Sequence, residues 1–290
     1  MLEATFSPLI PTENSEGFYI DYYNLYSFIQ INDIIISHAK DSMPDNMLNY
    51  LYSALNRFNE DHKMASMLER ACGIMNEATN RRRIENRGLS TEWIEKLKAK
   101  KINPLAWYQK AFEFVMIYAA CEQAVKEFIN LKRITDNIKS EAEVNLIDLL
   151  IKTLSENKLF DCFLEEMKDA TASIIDSGNQ LDSLWRFYTI YRHAIAHAGG
   201  KNTAKIKEKM DSVIVKNKHS LDTVRKNMNY EIGLDYDDEF FISPFIDEII
   251  DISDKHINFF RNMSLFIVES LERTLHPDEY KIDEFNPYKM

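Results

Sequence analysis

Residues 185–200 read WRFYTIYRHAIAHAGG, and the rest of the chain can be placed around them. Leu181, Leu184, Tyr188, Tyr191 and Ile195 recur at helical spacing, which predicts an amphipathic helix over 180–198. Gly199 and Gly200 then supply a stop, because glycine tolerates the left-handed conformation that closes a helix. Into this end the chain places one cation, Arg192, and two imidazoles, His193 and His197, among the small residues Ala194, Ala196 and Ala198.

Outward from this stretch the pattern is helical. Only 7 Gly and 7 Pro occur in 290 residues, and straight-chain helix formers are common. Upstream, 104–133 (PLAWYQKAFEFVMIYAACEQAVKEFINLKR) is one long helix with Tyr108, Ala111, Val115, Tyr118, Val125 and Ile129 on a single stripe. Glu122 lies in that stripe. A carboxylate on a core face is costly unless paired, so Glu122 either orients Arg192 from across the bundle or snorkels at its edge. Helices over 141–155 and 159–176 follow, with Ser177-Gly178-Asn179 as a turn. Residues 203–229 are basic and weakly periodic. Tyr230–Tyr236 alternates, and Glu239–Ile242 can pair with it across Asp237-Asp238 as a small β-hairpin. Pro244 is expected to open a final helix over 244–273.

Toward the amino terminus, residues 1–17 read as a poorly ordered lead-in and 18–40 as one helix. Tyr19, Tyr22, Tyr23 and Tyr26 fit a core-facing stripe better than a row of stacking platforms. Pro44 starts a second helix ending near Gly88, and Ser90-Thr91-Glu92 and Pro104 bracket a short basic one over 91–101. The expected organisation is therefore all-α. A helical N-terminal extension (1–103) precedes an antiparallel bundle of four to five helices (104–275), and a tail (276–290) follows.

Composition narrows the chemistry. The net charge is −11, yet residues 201–226 carry eight basic residues against three acidic ones, as do residues 81–101, whereas 231–254 hold nine acids and no Lys or Arg. Such basic runs are either solvated helix faces or a local groove for phosphates, whose affinity comes from local counterion release. Cys72, Cys121 and Cys162 are isolated, which fits a reducing cytoplasm and excludes a cysteine zinc site. No glycine-rich phosphate loop occurs, and no apolar run approaches the ~20 residues of a membrane span. The amino terminus has neither the basic nor the apolar region of a secretory signal, so a cytoplasmic protein is expected. Asp235, Asp237, Asp238 and Glu239 lack a His or basic partner and read as a solvated loop rather than a magnesium site.

The Arg/His end of the helix remains as the reactive candidate. Three pairs share the spacing of Arg followed by His after four to six residues: Arg192/His197, Arg186/His193 and Arg57/His62. Only Arg192/His197 has a polar residue straight after Arg, small residues between and a glycine break behind. This arrangement resembles the signature of the HEPN superfamily, all-helical domains many of which are metal-independent ribonucleases. The resemblance covers at most 104–275. It implies RNA cleavage by 2′-OH attack, with His197 as base or acid, Arg192 as phosphate clamp, and His193 tuning the pair at a position commonly held by Asn. Lys201 and Lys205 would add phosphate contacts, and neither metal nor cofactor is needed. It further implies a homodimer with composite sites, in a toxin or phage-defence setting with an antitoxin or defence-system partner. Some members instead lack cleavage and serve as RNA-binding or protein-partner modules. In the subset paired with nucleotidyltransferases a Tyr stands two residues beyond the motif His, where this chain has Gly199.

Geometry adds a condition. Five residues along a straight helix turn about 500°, leaving Arg192 and His197 about 140° apart. They can share a pocket only if the helix breaks between them or a second helix, such as that of a two-fold partner, contributes.

Overall fold

The structure, a computed structural model, describes residues 8–42, 99–100, 104–132, 145–198, 200–232, 240–242, 244–246 and 249–280. Among them, α1 (Gly17–Ser42), α2 (Pro104–Lys132), α3 (Leu146–Glu156), α4 (Phe160–Ala170), α5 (Gly178–Ala198), α6 (Ala204–Ile232) and α7 (Asp254–Leu275) account for nearly all regular structure. One antiparallel hairpin, β1 (Phe245–Ile246) with β2 (Ile249–Ile250), interrupts them before α7. The expected helix from Pro44 to Gly88, most of the basic helix over 91–101, the boundary at 103, the carboxylates at 235–239 and the end of the tail lie outside the described residues. The chain divides into two compact units, Met1–Gln30 with Lys110–Met290, and Ile31–Gln109. Tyr118, Glu122 and helix α5 belong wholly to the first.

Helix α7 is the axis of that unit. It is buried on every side, including Arg261, Asn262, Ser264, Glu269, Ser270, Glu272 and Thr274. An all-round buried helix normally reads as continuously apolar, so polar groups here must find partners inside. Arg261 donates through Nη1 to Glu113 Oε1 on α2 at 2.9 Å, with both side chains under a tenth exposed. The Ser264 hydroxyl lies 3.0 Å from Tyr22 Oη on α1. Glu269 accepts the Leu9 N–H at 2.8 Å, and Glu272 accepts the Glu16 N–H and the Tyr280 hydroxyl.

These bonds correct the reading of residues 8–17 as a loose lead-in. The segment is strapped down. Tyr19 Oη donates to Leu9 O at 2.8 Å, Asn14 Nδ2 donates to Glu279 at 2.5 Å, and Ser15 Oγ lies 2.6 Å from Tyr280 Oη. Residues 8–30, expected in the N-terminal extension, therefore pack with the bundle. The tyrosine stripe of α1 faces inward as expected: Tyr19, Tyr22 and Tyr26 are buried and Tyr23 is half-buried.

Two helices close on a left-handed residue other than glycine. Lys158 (φ 59°) closes α3, with the Leu159 N–H bonded to Leu154 O. Ala172 (φ 50°) closes α4 in the same way, with the Ser173 N–H bonded to Lys168 O. The expected helix over 159–176 thus stops at Ala170. The Thr171 hydroxyl, which donates to Met167 O and accepts the Ile175 N–H, supplies the competing local bonds. Gly178 is the first residue of α5 rather than a turn. A Cβ there would sit 2.9 Å from Ile151 Cδ1 and 3.2 Å from Phe160 Cζ, so glycine lets α5 start against α3 and α4.

Downstream, the weakly periodic stretch after the glycines forms the 29-residue helix α6. Its inward stripe, Ile206, Met210, Ile214, Leu221, Val224 and Met228, is buried but narrow. Most of the expected hairpin, 233–239, lies outside the described residues, and the described strand pair comes after it. Residues 230–232 are helical, and Pro244 leads into β1 instead of opening the final helix. The reason is tertiary. The Ile250 N–H bonds to Gly200 O at 2.8 Å and Lys201 bridges Ile249, so the chain leaving α5 gives this Ile-rich segment a backbone partner. Helix α7 then starts at Asp254 behind Ser253, whose extended backbone (ψ 156°) suits an N-cap.

Two buried groups on α7 set opposite pH responses. Burial pushes Glu269 up to about 7, against the Leu9 N–H and Arg273, which favour its charge. Burial holds His256 down at about 3, where it stacks 4.2 Å from Phe240 with Tyr188 Oη 3.4 Å from Nδ1. From pH 4.5 to 7 folded Glu269 keeps a proton that the unfolded chain releases, so its contribution weakens as pH rises. From pH 6.5 down to 3 the unfolded chain takes up a proton that His256 refuses, so that contribution weakens as pH falls. In the overlap the slopes cancel. Glu269→Gln should expose the histidine slope, with stability rising by up to about 1.4 kcal/mol per pH unit between pH 4.5 and 6.5. Urea unfolding across that range checks this, and parallel parent and variant profiles would refute it.

Candidate functional site

Helix α5 is held by aromatic packing along its whole length. The expected stripe Leu181, Leu184, Tyr188, Tyr191 and Ile195 is buried, and so are Trp185, Phe187 and Ile190. Tyr118 of α2 stacks on Trp185 (centroids 4.8 Å, 27°) and on Phe260 (5.7 Å, 14°), and its hydroxyl lies 2.8 Å from Thr189 Oγ1. On this fixed ring rests Arg192, its guanidinium carbon 5.5 Å from the centroid. A cation over an aromatic face gains about 0.5–2 kcal/mol, and the ring limits where the guanidinium can point.

Glu122 lies one turn beyond Tyr118 on α2, hence on the same face, and is buried. Its carboxylate accepts from Lys126, four residues further along. Of the two roles open to Glu122, the described partner answers the cost of burial within α2 itself. His193 is half-buried beside Arg192. His197 belongs to the last turn of α5, and its side chain lies outside the described residues.

The helix runs unbroken from Gly178 to Ala198. The break therefore falls beyond His197 and not between the pair, which rules out the first of the two ways to bring Arg192 and His197 together. After it, Gly200 takes φ 80° and donates its N–H to Ala194 O at 2.8 Å. The Tyr191 hydroxyl bonds Asp251 O. Together with the Gly200–Ile250 and Lys201–Ile249 contacts, this ties the carboxyl-terminal end of α5 to the hairpin. Lys201 is half-buried and Lys205, in the first turn of α6, is exposed.

The competing pair Arg186/His193 has a structural explanation. Arg186 donates to Asp182 at 2.6 Å and also bonds Asp148 and Asn145, which ties α5 to the start of α3. Arg57/His62 lies outside the described residues. Thiol chemistry is disfavoured at both described cysteines, because burial raises Cys121 far above and Cys162 above the ordinary range. Among the described residues no three His, Cys, Asp or Glu side chains are grouped to hold a metal ion, and no helix is long and apolar enough to cross a membrane.

Sequence reasoning missed Tyr118 as the seat of Arg192. The signal was its place four residues before Glu122 on one stripe, but an aromatic at helical spacing reads first as core. His256 was also missed, since a lone histidine between Lys255 and Ile257 carries no motif. No family model matches this chain, and neither a curated protein nor a solved structure does.

Proposed function

We propose that the chain is a metal-independent endoribonuclease of the HEPN type, with a HEPN-like bundle as its catalytic body. The observation that carries this reading is Arg192, a cation seated over Tyr118 at the end of α5, five residues before His197 and the glycine break. His197 takes the proton from a ribose 2′-OH, which then attacks the adjacent phosphorus, and a protonated imidazole returns a proton to the 5′-oxygen as it leaves. Histidine suits both transfers near neutral pH. Arg192 stabilises the charge gathering on the phosphorane oxygens, as a permanently charged planar fork does best. His193 positions the pair, and Lys201 and Lys205 hold flanking phosphates.

The angular separation of Arg192 and His197 on an unbroken helix supports a two-fold homodimer in which each site takes its arginine and histidine from different copies. A toxin or defence effector, held in check by a partner protein, is the setting for such an enzyme. Purified protein incubated with total RNA in EDTA should cleave it and leave 2′,3′-cyclic phosphate or 3′-phosphate ends, with Arg192→Ala protein inactive. Cleavage that appears only with added magnesium would sink the proposal. RNA binding without cleavage would point to the non-catalytic RNA-binding class.

A further inference from the structure

Among the described residues four carboxylates are buried, and they divide into two kinds. Glu113 meets Arg261 and Glu122 meets Lys126, each a charge with its counterpart. Glu269 and Glu272 on α7 are 7% and 1% exposed, and among the described residues neither has an ion pair. Their hydrogen bonds come from the chain termini laid over them. Glu269 accepts one, from the Leu9 N–H at 2.8 Å. Glu272 Oε1 accepts the Glu16 N–H at 3.3 Å and the Tyr280 hydroxyl at 3.2 Å. Glu272 Oε2 is buried with no hydrogen-bond partner among the described residues.

A carboxylate sealed from water without a counter-charge is costly, and two remedies exist: it takes up a proton, or its cover opens and water returns. The covering donors favour the charged form, but burial outweighs them. Burial pushes Glu269 up to about 7 against the Leu9 N–H and Arg273, and raises Glu272 against Ser15, His276, the Glu16 N–H and Tyr280. The surrounding groups do not reverse this. Helix α1 brings Tyr19, Tyr22 and Tyr26 to Glu269, phenols held well above the ordinary range and therefore neutral, and α2 adds Cys121 beside Tyr22, also raised. The Glu113–Arg261 pair lies beyond Tyr26. Arg273 faces Glu269 along α7, with its guanidinium turned to Glu166 of α4 at 3.4 Å. Glu16 lies 3.8 Å from His276 Nε2, an attraction present only while the imidazole is protonated. Glu279, held below the ordinary carboxylate range by Thr12 and Asn14, stays ionised from pH 5.5 upward, and Tyr280 is raised and neutral.

We propose that residues 8–16 form a pH-controlled clasp, shut over Glu269 and Glu272 while these carry protons and released when they ionise. The clasp stands apart from the ribonuclease reading. Its sign follows from linkage. Shut, it holds the Glu269 proton up to about pH 7; open, the carboxyl meets water and returns to an ordinary value of about 4.3. Rising pH therefore favours opening. Glu272 acts in the same direction, and so does the pairing of His276 with Glu16, which is strongest when the ring is protonated. From pH 5.5 to 8.0 Glu269 alone lowers the shut-to-open ratio by about 30-fold. The bonds of Thr12 and Asn14 to Glu279 do not change over that range and set the baseline hold.

The test is amide hydrogen exchange of the full chain at pH 5.5 and 8.0, corrected for the pH dependence of free-peptide exchange. A peptide over residues 8–16 is read against one over 181–191 in α5. Protection over 8–16 should fall by about 30-fold between the two pH values and lie below that of α5 at both, because the clasp opens without unfolding the bundle. Glu269→Gln/Glu272→Gln keeps an acceptor at each place but no titration, and should hold protection over 8–16 within about threefold across the range. Circular dichroism confirms folding, and if the double variant does not fold, Glu269→Gln alone should remove most of the fall. Glu279→Gln loosens the baseline hold, so it should lower protection at both pH values and leave the fall in place. A parent without the fall, or a Gln variant that keeps it whole, would overturn the clasp. So would equal protection in the two peptides, which marks global unfolding, or a fall abolished by Glu279→Gln, which moves the titration outside the buried pair.

Discussion

Arg192→Ala and His197→Ala are each expected to lower the rate of RNA cleavage by about 10²–10⁴, the range for loss of a general base or a charge-stabilising donor. Stability should hardly follow. Arg192→Ala removes the seat over Tyr118, about 0.5–2 kcal/mol, and unfolding controls can separate the two effects. Arg192→Lys keeps the charge but not the planar fork, and should fall between parent and Ala variant. The more telling experiment mixes the two inactive proteins. Because α5 is continuous through Ala198, the two positions lie about 140° apart round the helix, and the proposed composite site takes one residue from each copy. In a mixed dimer one site then contains both lesions and the other contains none. Random re-association at equal concentrations should restore about a quarter of parental activity. If mixing restores nothing while each protein still dimerises, arginine and histidine act within one chain, and the two-fold site is wrong.

The parts of this molecule that were legible from sequence are those where one local signal dominates. The stripe Leu181–Ile195 and the tyrosines of α1 repeat strongly, and both lie inward as their spacing requires. The errors share a different cause. At Ala172 the chain takes a left-handed turn without glycine, stabilised by a bond back into the preceding helix, so no residue type announced the stop at Ala170. At 244–250 a segment with helical patterning became a hairpin because Gly200 and Lys201 offered it a backbone partner more than forty residues away in sequence. Helix α6 was obscured by its own basic residues, which dilute a stripe that only packing against α5 makes decisive. The same logic applies to the site. Arg192 and His197 stood out by their setting, whereas the ring beneath Arg192 could be recognised only once α2 and α5 were brought side by side.

The strongest effect on stability is expected at the Arg261–Glu113 pair. Both groups are nearly sealed from water, the bond is 2.9 Å, and Asn258 Oδ1 accepts a second Arg261 donor at 2.7 Å. Taking two charges out of water costs several kcal/mol each, and their attraction offsets this only while both are present. Glu113→Ala or Arg261→Ala alone leaves a buried charge without its counterpart, and each should destabilise by about 3–5 kcal/mol in urea unfolding. Glu113→Gln keeps the shape and one acceptor, and should cost less. Replacing both at once, Glu113→Leu with Arg261→Met, should recover most of the loss, because the desolvation cost disappears with the charges. If the double variant is as unstable as the sum of the single ones, the pair is not coupled as described. The consequence extends to the site. Glu113 and Arg261 adjoin Phe114 and Phe260, whose rings lie 4.7 Å apart, and Phe260 in turn stacks on Tyr118 beneath Arg192. The single variants that remain folded should therefore also bind RNA more weakly, since the ring that positions the arginine loses its support from behind.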